Sequence, residues 1–431
     1  MKNIYIYIVL FLPLLGAAQT TVSLKSAIDT TLSNSFDIQI AGNNLEISKI
    51  NNTYGVAGGL PSVNVNVSDN QSIINVNQEL NTGVKIVKPS ASGNTLNSTV
   101  TVGMVLFNGL KIKATKGRLG HLQEQGELLL NIQIQNSIAT VMAKYYDIVR
   151  QQEYEKIIKT SLDVSQQKLD IVTERKNVGM ANDADYLQAL MDVTTAQQNL
   201  RSQQLVVEQA KTDLLQLMSK KEFYPFSVSD SIVIDRSLQL ATITSYLNKN
   251  PQYLSAEQQI KINEQAVKEV AALRYPTLRL SAGYNVNRTQ NSAGLTLLNQ
   301  SYGPSAGLTM AIPIYNGNAY KVQKEVAEFN LDNSKLQQES LLNSLTSTAV
   351  KTYQSYRTNL QQLDAQKNTI ELSGKLIKVV LERFQVNQAT ILDVKAAQAS
   401  YENTGYQLIN LNYAAKIAEI ELKRLTYQLG N

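Results

Sequence analysis

One stretch of this chain occurs twice. Asn108-Gly109 against Asn316-Gly317, Tyr145 against Tyr353, Val178 against Val386 and Asp185 against Asp393 all stand 208 residues apart, without a gap. An internal repeat of this length replaces the usual reading of 431 residues as two or three unrelated domains with two copies of one unit. Between each Gly and the matching break (Val178-Gly179-Met180-Ala181-Asn182 and Val386-Asn387-Gln388-Ala389-Thr390) there is no proline, and Gln, Lys, Glu, Leu and Ala dominate. Each stretch therefore reads as one helix. About 69 residues at roughly 1.5 Å each give a rod of about 100 Å, far longer than a helix in an ordinary globular domain. The chain is built to make something long.

After each break a second helix returns antiparallel to the first, because about four residues leave no room for another course. Its seam is a heptad: Val193, Ala196, Leu200, Gln203, Val207, Ala210, Leu214 and Leu217 in the first copy, and Tyr401, Thr404, Leu408, Leu411, Ala415, Ala418, Leu422 and Leu425 in the second. Many of these positions are small, so neighbouring helices can approach closely.

The stretches before the rods change period from helical to two. Val63, Val65 and Val67 alternate with Ser62, Asn64, Asn66 and Ser68; Leu278, Leu280, Ala282, Tyr284 and Val286 alternate with Thr277, Arg279, Ser281, Gly283 and Asn285. The return strands repeat the pattern with Val100, Val102, Met104 and Leu106, and with Ala306, Leu308, Met310, Ile312 and Ile314. Strands are expected at about 62–78 and 98–107 and at about 277–288 and 302–315, joined by polar loops, Asp69 to Asn97 and Arg288 to Ser301. A single such strand fits an ordinary half-buried hairpin. Four of them, each with one apolar and one small or polar face, suit an outer-membrane barrel with lipid outside and water inside. Four strands cannot close a barrel, since the smallest need about eight, so several copies of the chain must share one. Pro61 and Pro276 end the short helices that precede the strands, and Pro313 sits where the last strand gives way to a helix.

The N-terminus supplies the address. Lys2, the apolar run Ile4 to Leu15 and the small residues Gly16-Ala17-Ala18 read as a secretory signal over 1–18, removed before Gln19. No later run approaches 18 apolar residues, so a membrane-crossing chain must cross as strands. Repeat 1 then covers 19–220, with its helical hairpin at 109–220; 221–237 is a linker with Pro225; repeat 2 covers 238–431, with its hairpin at 317–428. Charge adds little: 40 Lys and Arg are interspersed with 35 Asp and Glu, which gives +5 but no basic face of the kind nucleic acid requires. With no cysteine, disulfides and thiolate metal sites are excluded. The one histidine, His121, lies on an exposed-looking helical face, and no nucleophile motif or phosphate loop occurs. We therefore expect no enzyme, no metal and no cofactor. A structural coiled-coil protein of the periplasm or surface is the alternative, and it leaves the alternating strands unexplained.

A signal, then twice over a short helix, a strand, a loop, a strand, a very long helix, a tight break and a returning helix: in this order, the chain resembles the TolC-like outer-membrane efflux proteins, also called outer membrane factors. The corners Phe107-Asn108-Gly109 and Tyr315-Asn316-Gly317, the pair Asn34-Ser35 and Asn250-Pro251, and Val178-Gly179 followed by Asp185 carry the resemblance through their order and constant offset. It implies a homotrimer, with a twelve-stranded β-barrel in the outer membrane of a Gram-negative cell and a helical tunnel reaching into the periplasm. It also implies docking to a periplasmic adaptor and an inner-membrane pump through the turns at Val178, Gly179, Val386 and Asn387. By resemblance, Asp393 matches an acidic position ringing the periplasmic entrance and Asp185 one that ties adjacent coiled coils; Asp183 stands beside it. The residues also admit a plainer role, because Asn182 to Asp185 and Thr390 to Asp393 have the cap-x-x-acid spacing that starts a helix. Ala389 and Ala396 depart from the family pattern of a basic latch and a second acidic member, and Arg383, Lys395 and Arg175 are the basic residues that could stand in. Gly109, Pro313 and Gly317 mark the strand-to-helix corners.

Overall fold

The structure, a computed structural model, describes residues 20–429; the signal expected at 1–18 lies outside them. In chain order the elements are β1 (Thr20–Thr21), α1 (Leu24–Asn34), α2 (Phe36–Asn51), β2 (Ser62–Glu79), β3 (Lys85–Asn108), α3 (Lys111–Asn177), α4 (Asp183–Leu217), β4 (Phe226–Ser227), α5 (Leu240–Tyr246), α6 (Pro251–Ala271), β5 (Thr277–Asn291), β6 (Leu298–Ala311), α7 (Ala319–Gln385) and α8 (Ile391–Leu425). Helices α3 and α7 are both 67 residues long, and α4 and α8 are both 35. The repeat thus holds to the residue in its long helices. None of the helices described is long and apolar enough to cross a membrane.

The chain divides into two compact units, and α3 and α7 each contribute to both. The first unit (up to 40, 132–250 and 344 onward) holds the paired ends of the long helices and the segment that links the repeats. Its core gathers Ala27, Ile138, Val141, Tyr145, Ile148, Leu214, Met218, Phe226, Ile420 and Leu429. Along the seam Val193, Ala196, Val207 and Leu214 are buried, as are Thr404, Ala415, Ala418, Leu422 and Leu425. Small residues bring the helices close: a Cβ on Gly405 would lie 2.7 Å from the Ile157 side chain.

The second unit (41–131 and 251–343) is a four-stranded antiparallel sheet in the order β2-β3-β5-β6, with helical segments around its base. Arg118 of α3 bonds Glu269 of α6 at 2.6 Å, and Gln125 reaches Gln259 at 3.2 Å. Across the sheet the register aligns Val65, Val100, Tyr284 and Pro304 in one row, and Met104, Leu280 and Leu308 in another. Rows of the opposite face read Asn64, Thr101, Gly283, Ser305 and Asn66, Thr99, Asn285, Gly303. Among the described residues nothing covers the apolar face, where Val63 is 64% and Leu308 63% exposed. Among the described residues β2 and β6 each keep one edge without a partner strand.

The strand limits differ from those expected. Residues 80–84 alone join β2 to β3, and 292–297 join β5 to β6, so most of the supposed loops is paired strand. Beyond the apolar band polar residues interrupt both faces and Ile73-Ile74 sets one apolar side chain on each, which erases the period of two, yet backbone groups still satisfy each other across the ladder. A bulge between Val105 and Phe107 leaves Leu106 without a partner on β5 and aligns Phe107 with Leu278 and Met310. Phe107, not Leu106, therefore continues the apolar row. β6 ends at Ala311, so Ile312 and Ile314 lie outside it, next to Pro313, which has no N–H for the ladder. The long helices begin at Lys111 and Ala319, two residues later than expected, because Gly109 and Leu110 (φ 67° and 68°) and Gly317 and Asn318 (66° and 63°) hold left-handed backbone. The corners are alike in backbone and unlike in packing: a Cβ on Gly109 would fall 2.7 Å from the Ala272 carbonyl oxygen and from Tyr275 Cβ, whereas the space around Gly317 is open.

Candidate gate at the hairpin tips

Both hairpins end in the first unit with the same backbone solution. After α3, Gly179 (φ 77°) sends its N–H to the Lys176 carbonyl at 2.9 Å while Met180 N–H reaches back to Arg175 O at 2.7 Å. After α7, Asn387 (φ 64°) bonds Phe384 O at 3.1 Å and Gln388 bonds Arg383 O at 2.7 Å. These are paired Schellman ends, which need a left-handed residue that glycine or asparagine supplies at least cost. The returning helices are then capped. Asn182 accepts from Asp185 N–H at 2.8 Å. Thr390 and Asp393 form a complete capping box, the Asp393 carboxylate accepting Thr390 N–H at 2.7 Å and the Thr390 hydroxyl accepting Asp393 N–H at 3.2 Å. The bond from the Thr390 backbone holds the Asp393 carboxyl below the usual carboxylate range.

Under the turns lies a small apolar cluster shared by both hairpins: Val164 and Val172 of α3, Ala189 of α4, Ile377 and Phe384 of α7, and Val394 and Ala397 of α8. Arg175 crosses from α3 to α7, donating to the Phe384 carbonyl and stacking 4.5 Å from its ring. Deeper in, Lys168 of α3 is wholly buried and paired with Asp192 of α4, and Lys395 of α8 approaches the same carboxylate at 3.5 Å. Burial pushes Asp192 up, but the Lys168 hydrogen bond and charge outweigh it and the carboxyl ends below its ordinary range.

The three acidic candidates are thus placed differently. Asp183 is exposed and pairs with Lys176 at 2.8 Å, which lowers its carboxyl. Asp185 lies in the first turn of α4, its N–H capped by Asn182, and Asp393 is tied into its own cap. Among the described residues neither Asp185 nor Asp393 has a cation within salt-bridge distance. Of the basic residues that could serve as a latch, Arg383 turns to the Gln388 carbonyl at 3.2 Å, while Arg175 and Lys395 both join one hairpin to the other. Val178 (68% exposed) and Val386 (62% exposed) present apolar side chains at the tips. Asp192 was not legible as a candidate, since a lone mid-helix aspartate carries no motif; its only signal is a lysine on the facing seam. His121 sits closer to its neighbours than its sequence suggests, with Nδ1 3.1 Å from Gln258 Oε1 of α6. No group of residues fit to hold a metal ion occurs among those described.

A sheet with one apolar face, continuous with long paired helices, defines a class of outer-membrane proteins that span the bilayer as strands. The chain matches the family model described as "Outer membrane efflux protein" over residues 27–220 and 242–426, one span in each repeat. It is 20% identical over 346 residues to the outer membrane protein TolC of Escherichia coli K12, covering 77% of this chain and 70% of that one. Its fold is shared with the outer membrane channel CmeC of Campylobacter jejuni (TM-score 0.78, 16% identity, 94% of this chain and 85% of that one). It is shared too with the outer membrane protein VceC of Vibrio cholerae (TM-score 0.72, 16% identity, 94% and 95%). The chain belongs to the outer membrane efflux protein family, and its place is the outer membrane.

Proposed function

We propose that three copies of this chain form a passive exit duct, with their sheets closing one barrel of twelve strands and their helices enclosing a tunnel on the periplasmic side. The observation that carries the reading is the sheet: among the described residues, an apolar face left uncovered, a face of Ser, Thr, Asn and Gly suited to water, and two open edges. An isolated sheet of this kind is unstable in lipid, where unpaired backbone groups cost several kcal/mol each, and joining edge to edge with further copies removes them. The duct needs no catalysis. It opens at its periplasmic end when a periplasmic adaptor and an inner-membrane pump engage the tips, with Val178, Gly179, Val386 and Asn387 as the contact turns. Asp393, with Asp185 and Asp183 beside it, supplies acidic charge at the narrowed entrance.

The test is imaging of the detergent-purified protein by electron microscopy together with conductance in planar bilayers. Three-fold hollow particles that conduct ions support the duct. Solid rods without conductance would leave a structural coiled-coil protein in its place.

A further inference from the structure

The segment between the repeats, residues 218–239, is held by more side-chain bonds than a linker requires. Its first part belongs to the first hairpin. Phe226 and Val228 enter the core beside Leu214 and Tyr145, Val22 N–H bonds the Ser227 carbonyl at 3.1 Å, and the Tyr145 hydroxyl meets both the Asp230 carboxylate and the Val22 carbonyl. Its second part belongs to the second hairpin. Glu419 of α8, 2% exposed, accepts Asp235 N–H at 2.9 Å, and Lys416, also buried, donates to Val233 O at 2.7 Å. Lys423 pairs with the Asp235 carboxylate at 2.9 Å, and the Tyr356 hydroxyl of α7 donates to the Asp235 carbonyl. Arg236 forms a two-pronged pair with Asp364 of α7 at 2.7 and 3.0 Å.

The repeat shows that this set is particular to the second hairpin. At the positions 208 earlier, Lys416 and Glu419 are replaced by Glu208 and Lys211, the same pair with its charges exchanged, and there the carboxylate is exposed (60%) instead of buried. Lys423, Asp364 and Tyr356 correspond to Leu215, Lys156 and Ile148, none of which could bind an Asp-Arg segment in this way.

We propose that residues 230–236 are a tether between the hairpins, fixing the base of α7 and α8 to the first hairpin, and that Asp235, Arg236 and Glu419 are positioning residues for the gate. The inference rests on the duct reading. The buried pair Lys416 and Glu419 and the half-buried pair Lys423 and Asp235 make the attachment electrically neutral, so it holds without leaving a buried charge unpaired. A hinge fixed at the base leaves movement to the tips, where the shared apolar cluster is small and the outermost bonds between the hairpins are those of Arg175 and Lys395.

Arg236→Asp tests this, because both members of its pair are half exposed and the substitution sets two carboxylates against each other without disturbing the core. Native protein, Arg236→Asp, and Arg236→Asp with Asp364→Arg are purified as assembled oligomers in equal yield, and conductance is recorded in planar bilayers. The single variant should conduct at least twofold more often than the native protein, and the reversed pair should return it to the native level. Lys144→Asp, which breaks an exposed pair between α3 and α4 and none made by the tether itself, should leave conductance unchanged. A single variant that matches the native protein, a reversed pair that stays open, or an equal rise in Lys144→Asp overturns the tether. Native oligomers that never conduct overturn the duct reading itself, and the tether with it.

Discussion

Gly179 and Asn387, 208 residues apart, hold the same left-handed backbone and make the same pair of turn hydrogen bonds at the ends of two 67-residue helices. Their surroundings impose no further condition at Gly179, where a Cβ would meet nothing within 4 Å. Gly179→Ala should therefore cost only the left-handed conformation, about 1–2 kcal/mol. Asn387→Gly should be neutral within about 0.5 kcal/mol, because both residues accept that region. Thermal unfolding of the two variants, followed by helical circular dichroism, checks the contrast.

At the strand-to-helix corners the same exchange should separate two outwardly equal glycines. Gly317→Ala meets open space and should cost about 1–2 kcal/mol. Gly109→Ala must also move the Ala272 carbonyl and Tyr275, both 2.7 Å from the added carbon, and should cost more. Oligomer yield and melting temperature report the difference; equal losses would show that the corner at Gly109 yields freely.

Lys168 and Asp192 allow a test of buried charge. Asp192→Ala leaves the ammonium without its carboxylate in a site with no exposure and should destabilise by about 3–5 kcal/mol, whereas Lys168→Met, which removes the buried charge and keeps the volume, should cost much less. The pH dependence follows from the lowered Asp192 carboxyl. Because the folded state holds the group below its unfolded value near 3.9, the pair's contribution is complete above that value and disappears as pH falls through the lower folded one. A melting curve of native protein that drops with acid below about pH 4, set against a flatter one for Lys168→Met, is the expected result.

The pore proposal for Asp393 can be separated from its role as a cap. Asp393→Asn keeps an oxygen that can accept Thr390 N–H but removes the charge, so helix content should hold while block by divalent cations from the periplasmic side weakens. Because the Thr390 bond lowers this carboxyl, block of the native pore should persist through mildly acidic solution and fade only below the ordinary carboxylate range. Unchanged block in Asp393→Asn leaves the residue as a cap alone.

The sheet makes a prediction about faces. Leu280→Arg places a charge on the apolar rows and should prevent insertion at a cost of about 2–4 kcal/mol per copy, while Ser281→Arg, one residue on and facing the polar side, should insert. Recovery of each variant in the outer-membrane fraction reads the two outcomes.

Much of this was legible because each signal was local. Val63-Asn64-Val65 shows its faces by alternation, and Val178-Gly179 marks a turn because only a left-handed residue ends a helix that way. The extent of β2 and β3 was hidden because residues 69–97 mix polar and apolar side chains on both faces, as at Ile73-Ile74, so that no period of two is written into the sequence. Phe107 was hidden by a bulge, which shifts the count by one without leaving a mark of its own. The Lys168, Asp192 and Lys395 cluster was illegible for another reason: its members come from three helices, and their meeting depends on how the hairpins pack.

The equal lengths of the helix pairs set a rule for how this architecture can change. A residue added to α3 alone would carry its turn about 1.5 Å along the axis and rotate every later side chain by about 100°, breaking the apolar cluster that both tips share. Growth is tolerable only as matched insertions in both arms of both hairpins, in whole heptads. Hairpin length is in that sense a single inherited character of the duplicated chain, whereas the strand turns at 80–84 and 292–297, bound to no sister, are free to drift independently.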